Sequence, residues 1–251
     1  MYDEPEIYDV VSPWPIDDEV DGLLELGARW IGARPRSMLD PACGSGRILE
    51  AFARRGLTCA GIDLSRPMVE YARRRLRSFP NVEVGEGDMR DFDLGGCFDL
   101  VVQPVNTFRL LVEDDDIAAH LSAVRSHVAR GVYVIELWLE GDDGSVPDRD
   151  DFWTSRRSDV TARVAYTIER VDLERRRSYE RTRVWYRVGG RQGSMDELTP
   201  MRLWRATELE RFVFERGAWT VVEWLDDDFR TFPPSFRQAC CDRAYAVLRP
   251  T

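Results

Sequence analysis

The chain has 251 residues, room for one large α/β domain with a decoration or for two small domains. With 43% hydrophobic and 32% charged residues it is globular in composition, and no apolar run approaches the ~20 residues that a membrane-spanning helix needs, so no membrane partner is expected. Net charge is −10 at pH 7 and every one of the 35 basic residues is arginine, so the basic face on which phosphate-backbone binding depends is missing and no nucleic-acid partner is expected.

The start, Met1 to Glu6, is acidic and lacks the basic and apolar parts of a signal peptide, which predicts a cytoplasmic protein. Residues 1 to 18 are broken by Pro5, Pro13 and Pro15 yet carry Tyr2, Tyr8 and Trp14, an irregular leader expected to fold over something as a lid. From Glu19, the positions Val20, Leu23, Leu24, Gly27 and Ile31 follow helical spacing. Alternation of strand and helix then begins. Ser37 to Asp40 is a strand, and its helix runs from Arg47 to Arg55, stopped at Gly56. Thr58 to Asp63 is the second strand; Ser65 caps the next helix, Pro67 lies in its first turn, and Val69, Ala72 and Leu76 form its inner face. Strands follow at Val82 to Val84 and Phe98 to Val102. Ile117, Leu121, Val124 and Val128 mark a helix, and Val132 to Leu137 is a fifth strand, apolar as one buried on both faces should be.

Beyond Glu140 the pattern changes. Gly141 to Asp151 is a polar loop, and period two then governs Val164, Tyr166 and Ile168 and, after a turn at Glu174 to Arg177, Val184, Tyr186 and Val188, with Met201 to Trp204 as a third strand. Thr207-Glu208-Leu209-Glu210 has the form of a capping box for a helix that ends at Gly217, and Thr220 to Leu225 and Arg243 to Leu248 are two closing strands. The expected fold is α/β: a Rossmann-like, doubly wound, seven-stranded, mostly parallel sheet with an inserted antiparallel β-sheet. Residues 1–140 plus 205–251 form its core, with 1–35 as leader and first helix, and 141–204 form the insert on the substrate side. Five cysteines (Cys43, Cys59, Cys97, Cys240, Cys241) are scattered and only two histidines are present, so reduced thiols and no metal site are expected, with Cys43 filling its turn as a small apolar group. The runs Arg73-Arg74-Arg75 and Arg175-Arg176-Arg177 are expected at solvated helix ends and turns.

The stretch that carries chemistry is Met38 to Arg47, M-L-D-P-A-C-G-S-G-R. Glycines at 44 and 46 let the backbone approach a ligand that a Cβ would repel, and the helix that follows offers free N–H groups and a partial positive charge. Asp40, Asp63 and Asp88 stand where three consecutive strands leave the sheet, the edge at which doubly wound sheets bind ligands. Asp63 is placed to accept both hydroxyls of a ribose, Asp88 to accept from an adenine amino group, and Asp40 to orient the turn or meet an ammonium.

These motifs, L-D-P-A-C-G-S-G-R-I-L, then G-I-D-L-S-R-P-M, E-G-D-M-R-D-F and F-D-L-V-V, together resemble class I S-adenosylmethionine (SAM)-dependent methyltransferases over about residues 36 to 140 and again from Thr207 to Arg249. The resemblance implies SAM as cofactor, with S-adenosylhomocysteine (SAH) as product. It implies that Asp40, Ala42, Gly44 and Gly46 border the methionine part, Asp63 takes the ribose hydroxyls, Leu64 and Met68 wall the adenine, Asp88 and Met89 sit at the adenine edge, and Gln103 lies under the sulfonium, with Tyr8 of the leader at the same site. Ala42 departs from the family's usual glycine. D-P-A-C-G-S-G also resembles adenine-N6 DNA methyltransferases, but Gln103-Pro104-Val105-Asn106-Thr107-Phe108 lacks their second proline and stacking aromatic.

The insert after strand five is similar to that of small-molecule N-methyltransferases acting on nucleotide-linked amino sugars or glycine. Where the amino-sugar enzymes have a histidine after strand four, this chain has Arg109, which cannot act as a base. Asn106, Arg109 and Trp138 are candidate pocket residues; Arg109 either holds a carboxylate or phosphate of the acceptor or is a surface residue of the loop. His120 and His127 fall off the apolar stripe of their helix and are expected in solvent. With no base to name, the expected reaction is methyl transfer to nitrogen or a carboxylate oxygen of a small molecule, and the expected partner is that acceptor, with a homodimer left open. The alternatives are a SAM-binding regulatory or accessory protein without transferase activity, and an NAD oxidoreductase, which the D-x-A-x-G-x-G turn disfavours.

Overall fold

The alternating segments assemble around one sheet in a computed structural model that describes residues 1–141, 145, 149–231 and 243–251. Its strands are β1 (Ser37–Asp40), β2 (Thr58–Asp63), β3 (Val82–Glu86), β4 (Leu100–Gln103), β5 (Val132–Trp138), β10 (Trp219–Leu225) and β11 (Arg243–Pro250), in the order β10-β11-β5-β4-β1-β2-β3. Pairing is parallel except on both sides of β11. Strand order reverses between β1 and β4, and that opens a crevice at their carboxyl ends.

Period-two alternation divides the strand residues between two layers. Met38, Leu100, Val102, Val132 and Val134 turn to one face, against α2 (Asp17–Ile31), α3 (Arg47–Arg54) and α4 (Arg66–Leu76). Leu39, Val101, Tyr133 and Ile135 turn to the other, against α5 (Asp114–Ser126) and α6 (Ala206–Gly217). Each fully buried aliphatic side chain contributes roughly 1.5–3 kcal/mol, so a one-residue slip of any central strand is heavily disfavoured. As expected, Ser65 caps α4, its Oγ accepting the Met68 N–H at 3.4 Å. Strand β4 begins two residues later than the sequence pattern suggested and so ends on Gln103, at the crevice.

A second sheet follows β5: β6 (Asp150–Arg157), β7 (Val160–Asp172), β8 (Arg177–Val188) and β9 (Arg191–Arg202), an antiparallel meander. It has one strand more than the sequence pattern suggested. Strand β6, DDFWTSRR, was hidden because only Ser155 of it is buried, so no apolar alternation marks it. The last strand is β9, and Trp204 lies beyond it, bridged in parallel to Leu139. The leader is helical, not irregular: Pro5 begins α1 (Pro5–Val11), which lays Ile7, Val10 and Val11 on Val160, Ala162, Val164 and Val184 of the second sheet. The 207–210 capping box does not form, since α6 starts at Ala206 after Arg205, and the Glu210 carboxylate instead accepts the Trp224 indole N–H at 2.8 Å. Most of the 141–151 loop, and Cys240 and Cys241, lie outside the described residues. No described helix is long and apolar enough to cross a membrane.

Candidate cofactor and acceptor site

The glycine turn is held by its own backbone. Cys43 N–H donates to Ile62 O at 2.8 Å, tying the turn to β2, and Gly46 has φ +76° with a would-be Cβ only 2.9 Å from Leu76 Cδ1, so both conformation and the close approach of α4 demand glycine. Gly44 is also left-handed, at φ +51°, whereas Ala42 is not, so its methyl group is accommodated. Asp40 is 2% exposed and accepts the Ala42 N–H at 3.0 Å; burial drives its pKa up to about 7 against the opposing effect of that bond. Cys43 is a buried free thiol whose pKa burial raises well above its ordinary value, which keeps it a small apolar filler.

Asp63 ends β2 with its carboxylate spread between two loops. Oδ2 accepts the Gly44 N–H at 2.8 Å and Oδ1 the Ser65 N–H at 2.9 Å, and burial raises its pKa. Each oxygen has spent one acceptor position and retains another, the donor-free capacity that two sugar hydroxyls require. Leu64 beside it is 71% exposed, an apolar side chain without cover at the lip of the crevice. Met68 is fully buried on the inner face of α4. Asp88 is engaged by the Arg90 guanidinium, which lowers its pKa, and Arg90 reaches on to Asp116 at 3.0 Å. Met89 packs partly buried on the α5 layer, and Gln103 is fully buried at the end of β4.

Helix α1 closes onto this turn. Tyr8 comes within 3.7 Å of where a Gly44 Cβ would stand, and its ring lies 5.7 Å from that of Tyr2. Asp9, 2% exposed, takes the Ser45 hydroxyl at 2.9 Å and pairs with Arg75 and Arg157. Arg75 is therefore not a solvated helix-end residue; α4 presents it inward because a buried carboxylate faces it. Arg176 is likewise drawn in, pairing with Glu140 and Glu208.

On the acceptor side, the chain leaving β4 is strained. Val105 and Asn106 are consecutive left-handed residues at φ +59° and +57°, a conformation a β-branched side chain rarely adopts and one that concentrates at functional sites. Glu136 accepts from Val105 N–H, and Asn106 Oδ1 accepts from Trp138 N–H at 2.7 Å. Arg109 corrects both sequence expectations. It is 2% exposed, neither on the surface nor free to make a two-pronged bond to an acceptor: Nε donates to Arg202 O at 2.8 Å, and Nη2 to Ser178 Oγ at 3.0 Å and Glu180 Oε1 at 2.7 Å. Tyr166 donates to the other Glu180 oxygen and sets its ring edge-on to Trp138 at 5.9 Å, and Arg149 lies 4.0 Å over the Trp138 ring. Tyr166 and Glu180 were missed in the sequence. The available signal was Ser178 and Glu180 on the inward register of β8, where alternation calls for apolar residues.

The two histidines are also corrected, since both are buried and bonded rather than solvated. His127 is stacked 4.7 Å from Phe92, takes the Leu94 N–H on Nε2 at 2.9 Å and bonds Ala123 O at 2.7 Å. His120 bonds Met89 O at 2.8 Å and the Tyr133 hydroxyl at 2.7 Å, and burial pushes its pKa down to about 4.

Residues 38–131 match the family model described as a methyltransferase domain. Over the whole chain, a S-adenosylmethionine-dependent methyltransferase structure from Clostridium acetobutylicum is similar with TM-score 0.75 at 17% identity, covering 98% of this chain and 96% of that one. The Streptomyces venezuelae DesVI structure is similar with TM-score 0.78 at 23% identity, covering 98% and 96%. The chain thus has the Rossmann-like fold of those two structures, and the part of it that matches the methyltransferase-domain model holds the glycine turn, Asp63 and Asp88. Among curated proteins it is 35% identical over 136 residues to the dTDP-3-amino-3,4,6-trideoxy-alpha-D-glucopyranose N,N-dimethyltransferase of Streptomyces venezuelae, covering 54% of this chain and 53% of that protein. The chain spans about half the length of the curated relatives it matches.

Proposed function

We propose that this chain is a SAM-dependent methyltransferase that methylates the amino nitrogen of a small molecule, an amino sugar carried on a nucleotide being the acceptor class its relative suggests. The observation that carries the reading is the Asp63 carboxylate, which braces the Gly44 and Ser65 loops on the cofactor side of the crevice and keeps an acceptor position on each oxygen. In this reading Asp40, Ala42, Gly44 and Gly46 border the methionine part, Asp63 holds the ribose, Leu64 flanks the adenine with Met68 beneath it, Asp88 and Met89 lie at the adenine edge, and Tyr8 covers the turn.

When bound, SAM supplies an electrophilic methyl group, and the protein's task is to position the nucleophile and exclude water, which intramolecular models value at ~7 to 11 kcal/mol. Neither histidine is free to serve as a base. That favours a neutral amine, which attacks without one, over a phenol or alcohol. Asn106, Trp138 and Tyr166 wall the acceptor side, and Arg109 acts through Glu180 to fix Tyr166. A soluble, cytoplasmic enzyme fits this chemistry.

Incubation with SAM and a panel of free and nucleotide-linked amino sugars, read by mass spectrometry, is expected to give one or two methylene increments on an amine. Tight SAM binding without turnover across amines, carboxylates and hydroxyl acceptors would instead mark a regulatory or accessory protein.

A further inference from the structure

The leader lies across the cofactor side of the crevice. Tyr8 stands 3.7 Å from where a Gly44 Cβ would be, the Tyr2 carbonyl accepts the Ser65 hydroxyl at 3.0 Å, and the Ser12 carbonyl accepts from Arg47 at 2.7 Å. Gly44 and Ser65 are the two residues whose N–H groups hold the Asp63 carboxylate, so the leader touches both loops that flank it.

Two bodies grip this strap, and by different means. Toward the second sheet the grip is apolar. Ile7, Val10 and Val11, each no more than 4% exposed, form one cluster with Val160, Ala162, Val164 and Val184, and the Trp153 indole N–H donates to Val11 O at 3.0 Å. Toward the glycine turn the grip is polar. Besides the bonds already named, Asp9 accepts the Ser45 hydroxyl at 2.9 Å and pairs with Arg75 of α4. The same carboxylate pairs with Arg157 of β6, so one buried acid is shared by an arginine from each body.

Water acts differently on the two grips. Parting the apolar face exposes three side chains at roughly 1.5–3 kcal/mol each, with nothing gained in return. Parting the polar face wets Asp9, Arg75 and Ser45 together, so each lost bond is replaced by one to water at a net cost of about 0.5–1.5 kcal/mol, or about 1.5–3 kcal/mol for a charged pair. Charges that open together also recover the hydration that burial took from them.

We infer that the leader is a hinged strap carried by the second sheet, and that it uncovers the cofactor side of the crevice by parting Asp9 from Arg75 and Ser45 while the Asp9–Arg157 pair stays closed. Of two arginines on one carboxylate, the one on α4 lets go. Arg75 is the latch, and Arg157 travels with the strap. That the strap gates a cofactor rests on the reading proposed above; the plane along which it parts does not.

The test has two arms. Peptide-resolved hydrogen exchange on the full chain, with no ligand added, is expected to find residues 43–47 exchanging about 5- to 10-fold faster in Arg75→Met than in the parent, with Pro5–Val11 unchanged. Arg157→Met is expected to leave both segments within about 2-fold. Faster exchange of Pro5–Val11 in Arg75→Met would mean that α1 melts rather than lifts, and equal behaviour of the two variants would mean that the sheet does not carry it; either result overturns the proposal. Surface plasmon resonance with SAH as the probe is expected to show kon and koff rising together about 5- to 10-fold in Arg75→Met, with Kd within about 2-fold, and neither rate moving in Arg157→Met. A faster koff with kon unchanged would mark Arg75 as a support of the turn and overturn its role as latch. If Arg75→Met does not fold, Ser45→Ala, which keeps both partners of each ion pair, is read by the same joint rise of kon and koff, at about 3-fold. If the parent chain does not bind SAH, the cofactor reading and the gate fall together, while hydrogen exchange still decides which body carries α1.

Discussion

The two sides of the crevice are built by different means. On the cofactor side, the β1–α3–β2 unit positions Asp40, Gly44 and Asp63 through bonds of backbone N–H groups between neighbouring strand ends, Cys43 N–H to the Ile62 carbonyl and Gly44 N–H to the Asp63 carboxylate. On the acceptor side, side chains far apart in sequence hold one another: Arg109 reaches across 71 residues to Glu180, and Arg176 across 36 residues to Glu140. A turn tied by main-chain bonds keeps its course when most of its side chains are changed, and its sensitivity is concentrated in Asp63. A site built from a buried charge network is vulnerable, because removing one member strands another inside.

The harshest way to break this comparison is at the Asp9 cluster, which ties the glycine-turn side to the second sheet. Asp9→Ala would leave the Arg75 guanidinium with only Glu50 at 3.4 Å and Ser45 and would release α1 from both Ser45 and Arg157, and urea unfolding is expected to register a loss of about 3 kcal/mol. An unchanged midpoint would mean that α1 is held by its apolar face alone. Next in size, Asp63→Ala is expected to weaken SAM about 100-fold, roughly 2.7 kcal/mol, in calorimetry, whereas Arg181→Ala on the insert leaves it untouched. Equal behaviour of the two variants would remove the ribose assignment.

Asp40 sharpens the picture through pH. Its folded pKa of about 7 lies above the ordinary 3.8, so the native state binds the extra proton between those values and stability falls as pH rises from about 4 to about 7. Asp40→Asn is therefore expected to be more stable than the parent by roughly 2 kcal/mol at pH 8, with the difference vanishing below about pH 4, as thermal melts across that range can check. The smallest effect belongs to the acceptor wall. Tyr166→Phe removes one hydrogen bond to Glu180 and is expected to cost about 1 kcal/mol of stability, leave SAM affinity unchanged and raise the KM for the amine. A loss of SAM affinity in that variant would show that the two sides are not separable.

Most of the large sheet was legible in the sequence because its signals are local. Runs such as Val132–Leu137, the Ser65 cap and the Gly44–Gly46 turn each act within a few residues, and the strand-end aspartates follow once the strands are placed. The insert was legible only in part. Strand β6 buries almost nothing, and α1 becomes a helix by docking its Ile7, Val10 and Val11 on a sheet that starts more than a hundred residues later. Arg109, His120 and Arg75 were misread for a related reason. Charged and titratable residues look solvent-bound in a linear pattern, and the partners that make their burial tolerable (Glu180, the Tyr133 hydroxyl and Asp9) come from other elements.

The sequence by itself determined the α/β sheet, its glycine turn and the row of acidic strand ends, because hydrophobic period and turn chemistry are properties of adjacent residues. Only the tertiary structure decided which charges go inside and how the leader closes on the turn. Desolvation and hydrogen-bond pairing depend on what the fold brings together, whatever the distance along the chain.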